Sequence, residues 1–239
     1  MSLLCLDSGN TRLKWGLRET GRWLDQGALP LAQLDRIDVK ADRIVACNVA
    51  GDPGRRAIEA LARRLGVAIE WLHASAEQCG VRNGYEHPEQ LGADRWAALI
   101  GARRLHARAS LVVCSGTATT VDVLDGEGRF RGGLILPGLA LMRASLAANT
   151  ADLPAGPGEI RELPTNTFDA IASGSLNATA GAVERMFRRL ADDAQALCLL
   201  SGGAGAALAP HLTIPCRVVD NVVLEGLATF GERSQSAGQ

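Results

Sequence analysis

Two short stretches of this chain carry residues suited to holding phosphate, and they resemble each other. Near the N-terminus it reads Leu3-Leu4-Cys5-Leu6-Asp7-Ser8-Gly9-Asn10-Thr11, followed by the strand-like Leu13-Lys14-Trp15-Gly16-Leu17. Further on it reads Leu111-Val112-Val113-Cys114-Ser115-Gly116-Thr117, followed by Thr119-Thr120-Val121-Asp122-Val123-Leu124. Each copy is an apolar run, a small polar loop built on Ser-Gly, and a second strand. A glycine at the loop apex lets the backbone approach a ligand closely, and Ser, Thr and Asn supply donors. Two such loops facing each other across a cleft could hold a polyphosphate, which makes nucleotide-dependent phosphoryl transfer the first hypothesis. Alone, either loop reads as an ordinary tight turn; the repetition favours phosphate. Neither is a Walker A loop, because no Gly-Lys-Ser/Thr follows. Asp7, at the end of a buried strand, suits magnesium, which prefers carboxylate and water ligands.

A second constellation is Tyr85-Glu86-His87-Pro88-Glu89-Gln90-Leu91-Gly92-Ala93-Asp94-Arg95-Trp96, which contains the chain's single tyrosine. Asp94 and Arg95 open a helix, where an acid is favoured by the helix dipole in any case. The same pair also suits a small substrate, since Arg can grip a carboxylate bidentately and Asp can take a proton from a hydroxyl. Gly132-Gly133-Leu134-Ile135-Leu136-Pro137-Gly138 reads best as a strand bounded by turns. Ser201-Gly202-Gly203-Ala204-Gly205 follows an apolar strand and precedes a helix. It could let a purine or ribose lie against the backbone, or be a simple link. The four histidines show no metal-ligand spacing, and there is no nucleophile elbow. The clusters Arg103-Arg104 and Arg185 with Arg188-Arg189 read as solvated helix faces.

The elements that must position these residues follow from periodicity. Strands are expected at 3–6, 13–17, 22–27, 44–47 and 67–72, with a helix over 55–65 stopped at Gly66 and another over 93–105. The second half restarts with strands at 111–114, 119–124 and 130–136. Helices at 139–148, 168–191 and 224–232 and a strand at 196–200 follow. A strand-loop-strand-strand-helix order used twice predicts an α/β fold of two units, mixed sheets flanked by helices. The expected division is 1–108 and 109–233, with a disordered tail over 234–239.

At 239 residues, with 47% hydrophobic and 21% charged residues, the composition is that of an ordinary globular protein. A formal net charge of −1 gives no reason to expect a nucleic-acid or membrane partner. No apolar run approaches the roughly 20 residues that span a bilayer, and the N-terminus lacks a basic leader, so a cytoplasmic location is expected. Lys14 and Lys40 are the only lysines. Of the six cysteines, Cys5, Cys47, Cys114, Cys198 and Cys216 lie in or beside apolar runs and Cys79 in a polar one, a pattern of buried free thiols.

Taken in order, these elements resemble the type III pantothenate kinases, the Bvg accessory factor family. The resemblance rests on Asp7-x-Gly-Asn-Thr-x-x-Lys14, Gly92-Ala93-Asp94-Arg95-Trp96, Ser115-Gly116-Thr117-Ala118-x-Thr120-x-Asp122, Gly132-Gly133-x-Ile135-x-Pro137-Gly138, Thr167-x-x-Ala170-x-x-x-Gly174 and Gly202-Gly203. It implies two ribonuclease H-like domains of the acetate/sugar kinase, Hsp70 and actin superfamily clasping Mg-ATP between them. By the same resemblance Asp7, Ser8, Gly9, Asn10, Thr11, Arg12, Leu13 and Lys14 form the first ATP-phosphate loop, with Gly116, Thr117, Gly202 and Gly203 on the second half. Tyr85, Gly92, Ala93, Asp94 and Arg95 correspond to the pantothenate site, with Asp94 as proton acceptor. Thr167 corresponds to a substrate-binding threonine given by the partner subunit of a homodimer. Two departures stand out. Cys114 occupies the place of an Asp that holds a potassium or ammonium ion in the family, so that cation site is expected to be weak or absent. Asn149 stands where the family often has a substrate-pocket His. The implied reaction is phosphorylation of pantothenate to 4′-phosphopantothenate, the first step toward coenzyme A. Another small-molecule kinase of the superfamily and a non-catalytic nucleotide-binding regulator remain as alternatives.

Overall fold

The apolar runs become strands and the periodic stretches become helices close to where the pattern puts them. The computed structural model describes residues 1–236, with side chains to Ser234. Two compact units emerge, one of Met1–Ala107, Gly128–Arg131 and the chain from Asn221 on, the other of Arg108–Glu127 and Gly132–Asp220.

In the first unit, β1 (Ser2–Ser8), β2 (Leu13–Glu19), β3 (Arg22–Leu29), β4 (Arg43–Asn48) and β5 (Ile69–Trp71) form a sheet in the order β3-β2-β1-β4-β5. β1 is antiparallel to β2 and parallel to β4, a mixed sheet with β1 at its centre. Burial from Leu3 through Ser8 explains why β1 reads as a continuous apolar run rather than an alternating one. Helix α1 (Gly51–Leu65) sets Ile58, Leu61 and Ala62 against Leu4, Leu6 and Ile44 of the sheet. It ends at Gly66 in the left-handed conformation, φ +69°, as the glycine stop predicts. A two-residue hairpin, β6 (Glu77–Gln78) and β7 (Val81–Arg82), precedes α2 (Ala93–Leu105).

The second unit repeats the plan. Strands β8 (Ser110–Ser115), β9 (Ala118–Leu124) and β10 (Phe130–Pro137) are followed by α3 (Leu139–Asn149), α4 (Thr167–Phe187), β11 (Leu197–Ser201), α5 (Gly205–Leu208) and β12 (Cys216–Val218). The sheet order β10-β9-β8-β11-β12 matches the first sheet strand for strand. Registers match too. Asp7, next to last in β1, lies opposite Lys14 and Cys47, while Cys114, next to last in β8, lies opposite Thr120 and Ser201. The duplication read from the loops is therefore a duplication of the whole sheet. Leu111, Val113, Val121, Leu176, Val183, Cys198 and Leu200 make the core of this unit.

Helix α6 (Val222–Ser236) returns to the first unit and lies on α2. The helices meet backbone to backbone. A Cβ on Gly226 would lie 1.8 Å from the Ala97 carbonyl oxygen, and one on Gly101 would lie 2.1 Å from that of Val222. Only glycine permits such an approach.

Several elements differ from expectation for identifiable reasons. The single cut near residue 108 becomes an interleaved division, because α6 packs on α2 and the piece Gly128–Arg131 runs beside β7. The tail expected to be disordered from Ser234 begins inside α6, which continues to Ser236; residues 237–239 lie outside the described residues. β6, β7 and β12 are two or three residues long, too short to carry a periodic signal. None of the six cysteines forms a disulfide, and Cys5, Cys47 and Cys198 are buried.

The α2–α6 contact yields a stability prediction. Gly226→Ala should destabilise the folded chain by about 1–3 kcal/mol, the cost of overpacking a tight contact. A fall in the urea midpoint at unchanged slope would show it. A parental midpoint would mean that the helices separate without cost.

Candidate active site

Asp7 is 6% exposed at the C-terminal end of β1, where the chain turns through Gly9. The Gly9 N–H donates to the Arg12 carbonyl at 3.2 Å and closes a tight loop that leaves Asn10, Thr11 and Arg12 exposed. The carboxylate is held from both sides. The Cys47 thiol donates to Oδ1 at 3.6 Å, and the Lys14 ammonium stands 3.9 Å from Oδ2. Burial pushes the Asp7 carboxyl up to about 6, with the negative charge of Asp94 pushing the same way and Lys14 and Cys47 opposing. Ser8 turns its hydroxyl inward, fully buried beneath the first turn of α1, where a Cβ on Gly54 would lie 2.4 Å from it. The Ser8 carbonyl accepts from the Val49 N–H at 3.0 Å, so the residue ties the strand end to the chain leading into α1.

Asp94 and Arg95 occupy the first turn of α2, whose N-cap is Gly92 with no side-chain cap. Asp94 Oδ1 accepts from the Arg95 N–H at 2.8 Å, and its other oxygen has no partner among the described residues. Arg95 is 6% exposed and donates through Nη1 to the Tyr85 hydroxyl at 2.9 Å. The loop before α2 is pinned locally, with Asn83 Oδ1 accepting from the Tyr85 N–H at 3.0 Å and Nδ2 donating to the Pro88 carbonyl at 3.1 Å. The Trp96 indole, fully buried, donates to Gln78 of β6 at 3.0 Å and anchors the helix start. The first unit thus gathers Asp7, Lys14, Asp94, Arg95 and Tyr85, close enough that Asp94 acts electrostatically on Asp7.

The buried carboxylate of Asp7 offers oxygen donors of the kind that suit a hard divalent cation. A bound cation would offset the burial that, with the lesser help of the Asp94 charge, raises Asp7. Asp7 would be the residue that holds magnesium there. Cys114, half-buried at the equivalent position of the second sheet, offers a thiol and does not fit a hard cation.

In the second unit the phosphate-loop candidates are built from close main-chain approaches. The Gly116 N–H donates to the Ala118 carbonyl at 2.9 Å, and the Gly138 N–H donates to the Thr117 carbonyl at 2.9 Å. A Cβ on Gly138 would lie 2.0 Å from the Gly116 carbonyl oxygen. Gly202, at φ +89°, has no room for one either, since Ser115 O is 2.4 Å away. Three turns, at Gly116, Gly138 and Gly202, therefore stack against one another. Sequence reasoning missed this role for Gly138, and also for Gly133, where a Cβ would strike Asp122 Oδ1 at 2.0 Å. The signal was the glycine spacing of Gly132-Gly133-x-x-x-Pro137-Gly138, which reads equally well as strand punctuation.

Thr167 and Asn149 lie elsewhere in that unit. Thr167, the first residue of α4, lines a groove of about 500 Å³ between α3 and α4 with Met142, Leu146, Leu153 and Ile171. Asn149 ends α3 and donates to the Ser145 carbonyl at 2.8 Å. Along α4, Leu176 and Val183 enter the core and Met186 and Phe187 pack against it. Ile171 instead lines the groove, and Phe168 is 41% exposed.

A family model described as type III pantothenate kinase matches residues 3–189. A type III pantothenate kinase of Aromatoleum aromaticum is 53% identical over 241 residues, covering 98% of this chain and all of the relative. One from Azoarcus sp. is 48% identical over 236 residues, covering 95% and 90%. Among solved structures, one from Campylobacter jejuni, described as a Baf family transcriptional activator, superposes with a TM-score of 0.65 at 20% identity over 98% of this chain and 99% of that one. MreB5 of Spiroplasma citri, bound to ADP, superposes at 0.52 with 11% identity over 99% and 98%. These likenesses agree with a duplicated ribonuclease H-like, actin-like ATPase fold. Full-length identity near one half joins the motifs and the doubled sheet in one conclusion: the chain belongs to the type III pantothenate kinases.

Proposed function

We propose that this chain transfers the γ-phosphoryl group of ATP to the primary hydroxyl of pantothenate, giving 4′-phosphopantothenate for coenzyme A synthesis. The observation that carries the reading is the assembly of Asp94, Arg95 and Tyr85 in the unit that also holds the Asp7 loop. The loops at Asp7–Lys14 and at Gly116-Thr117, with Gly202-Gly203, serve the nucleotide. Magnesium, when bound with the nucleotide, neutralises charge on the phosphates. Asp94 accepts the hydroxyl proton as that oxygen bonds to the γ-phosphorus and the bond to the ADP oxygen breaks. Arg95 and Tyr85 hold the polar end of pantothenate. No covalent nucleophile is required, because phosphoryl transfer depends mainly on positioning and charge stabilisation.

The Asp94 oxygen that has no partner among the described residues supports its role as base. Asp94→Asn keeps size and an oxygen for the Arg95 N–H but removes the proton acceptor. Turnover should fall about 10²–10⁴-fold with the melting temperature preserved. A purified variant with near-parental turnover would take Asp94 out of this role.

Homodimerisation with shared active sites is supported by the apolar groove between α3 and α4 and by the exposure of Leu141 and Phe168 beside it. In this reading an isologous twofold contact covers the groove and lends Thr167 to the neighbouring site. Subunits inactivated by Asp94→Asn, mixed with subunits inactivated at Thr167, should regain activity through heterodimers with one intact site. A monomeric mass at assay concentration, or no recovery after verified subunit exchange, would refute the shared site.

Cys114 separates this chain from its family in cation chemistry. The side chain at the position equivalent to Asp7 is a thiol, and potassium and ammonium are served by oxygen ligands. Turnover in Tris buffer should therefore be nearly flat on adding potassium or ammonium, and Cys114→Asp should make it cation-dependent. Strong activation of the parent enzyme by millimolar potassium would overturn this reading.

A further inference from the structure

Phe130, a residue that none of the motifs contains, is fully buried against the candidate pantothenate site. Its ring centroid lies 5.3 Å from that of Tyr85, tilted by 36°. The Arg95 guanidinium carbon stands 5.8 Å from the Phe130 ring and 5.7 Å from the Tyr85 ring. Arg95 is thus held by two aromatic rings as well as by its hydrogen bond to the Tyr85 hydroxyl.

The backbone around Phe130 is built to bring the ring there. The Arg82 N–H donates to the Gly128 carbonyl at 2.9 Å, and Arg82 pairs with Arg129 in a parallel bridge. A Cβ on Gly84, the residue before Tyr85, would lie 1.9 Å from the Phe130 carbonyl oxygen. Gly128, at φ +82°, also comes close to Gly80, where a Cβ would lie 2.4 Å from the carbonyl oxygen. Two glycine approaches therefore clamp residues 128–131 onto the segment that carries Tyr85.

We propose that Phe130 is a positioning residue for pantothenate, acting through Arg95 and Tyr85 to fix the guanidinium before substrate arrives. An arginine side chain has much rotamer freedom to lose on binding. Cation–π attraction from buried rings removes that freedom in advance, and a preorganised group binds its ligand more tightly. A ring serving only as apolar filler would affect stability and leave substrate affinity alone. The proposal rests on the reading that Arg95 and Tyr85 bind pantothenate.

Steady-state kinetics on variants at Phe130 and Arg95, alone and combined, separates these ideas. Phe130→Leu fills much of the volume without a ring face. It should raise the KM for pantothenate about 5- to 20-fold, the range expected for lost cation–π contacts, with kcat and the KM for ATP unchanged. Phe130→Met gives the same readout with a more adaptable side chain should the leucine variant fold poorly. Arg95→Lys tests the site itself. In the Arg95→Lys background the Phe130 substitution should add little, because the group it positions is gone. If Arg95→Lys raises the pantothenate KM while a folded Phe130→Leu or Phe130→Met enzyme keeps the parental value, the positioning role is overturned and the site stands. An equal loss in all parameters would also overturn it. If Arg95→Lys itself leaves the pantothenate KM unchanged, the reading of the site fails instead.

Discussion

The seat of α2 against α6 is the constraint on which the candidate site depends most. Asp94 and Arg95 gain their positions from the first turn of α2, and α2 is buried from Arg95 through Ala102. Its depth is set where Gly226 meets the Ala97 carbonyl and Gly101 meets that of Val222. Farther along α6, Gly231 presses on Leu3 and Val45, so the same helix also registers against the strand that carries Asp7. A shift of about 1 Å in α2 would move the Asp94 carboxylate relative to Asp7, and geometry at that scale governs positioned chemistry.

The second unit solves its positioning problem differently. Its loops are not anchored by a helix start but by carbonyl oxygens meeting glycines at Gly133, Gly138 and Gly202. Main-chain contacts of this kind tolerate no side chain and leave the loop amides in fixed orientations. A buried hydroxyl pair, Ser115 and Thr119 at 2.9 Å, ties the strand ends beneath them. The first unit offers side-chain charge and the second offers backbone dipoles, though both are built on one sheet plan.

Much of this was legible in the sequence where a residue type does one thing. Strand and helix positions in the cores followed from apolar spacing, and the helix at Ala93–Leu105 matches its expected span. Asp7 stood out through the repeated loop, Asp94 and Arg95 as an acid and a base opening a helix, and Lys14 only through the family resemblance. The route of α6 was not legible. Nothing local in Val222–Ser236 says which sheet it covers, since its partner glycine on α2 lies more than a hundred residues away. Phe130 escaped notice for a related reason. A phenylalanine starting a strand reads as core, and only the fold brings Tyr85 and Arg95 to its ring.

That the chain holds one tyrosine, and that it is Tyr85, has a spectroscopic consequence. Biosynthetic incorporation of 3-fluorotyrosine would label this protein at a single atom, beside the Arg95 guanidinium and the Phe130 ring. The fluorine spectrum would then contain one resonance, with no assignment to make. Ring currents and the neighbouring cation both act on it, so its shift and width would report conformational exchange at this corner of the molecule directly.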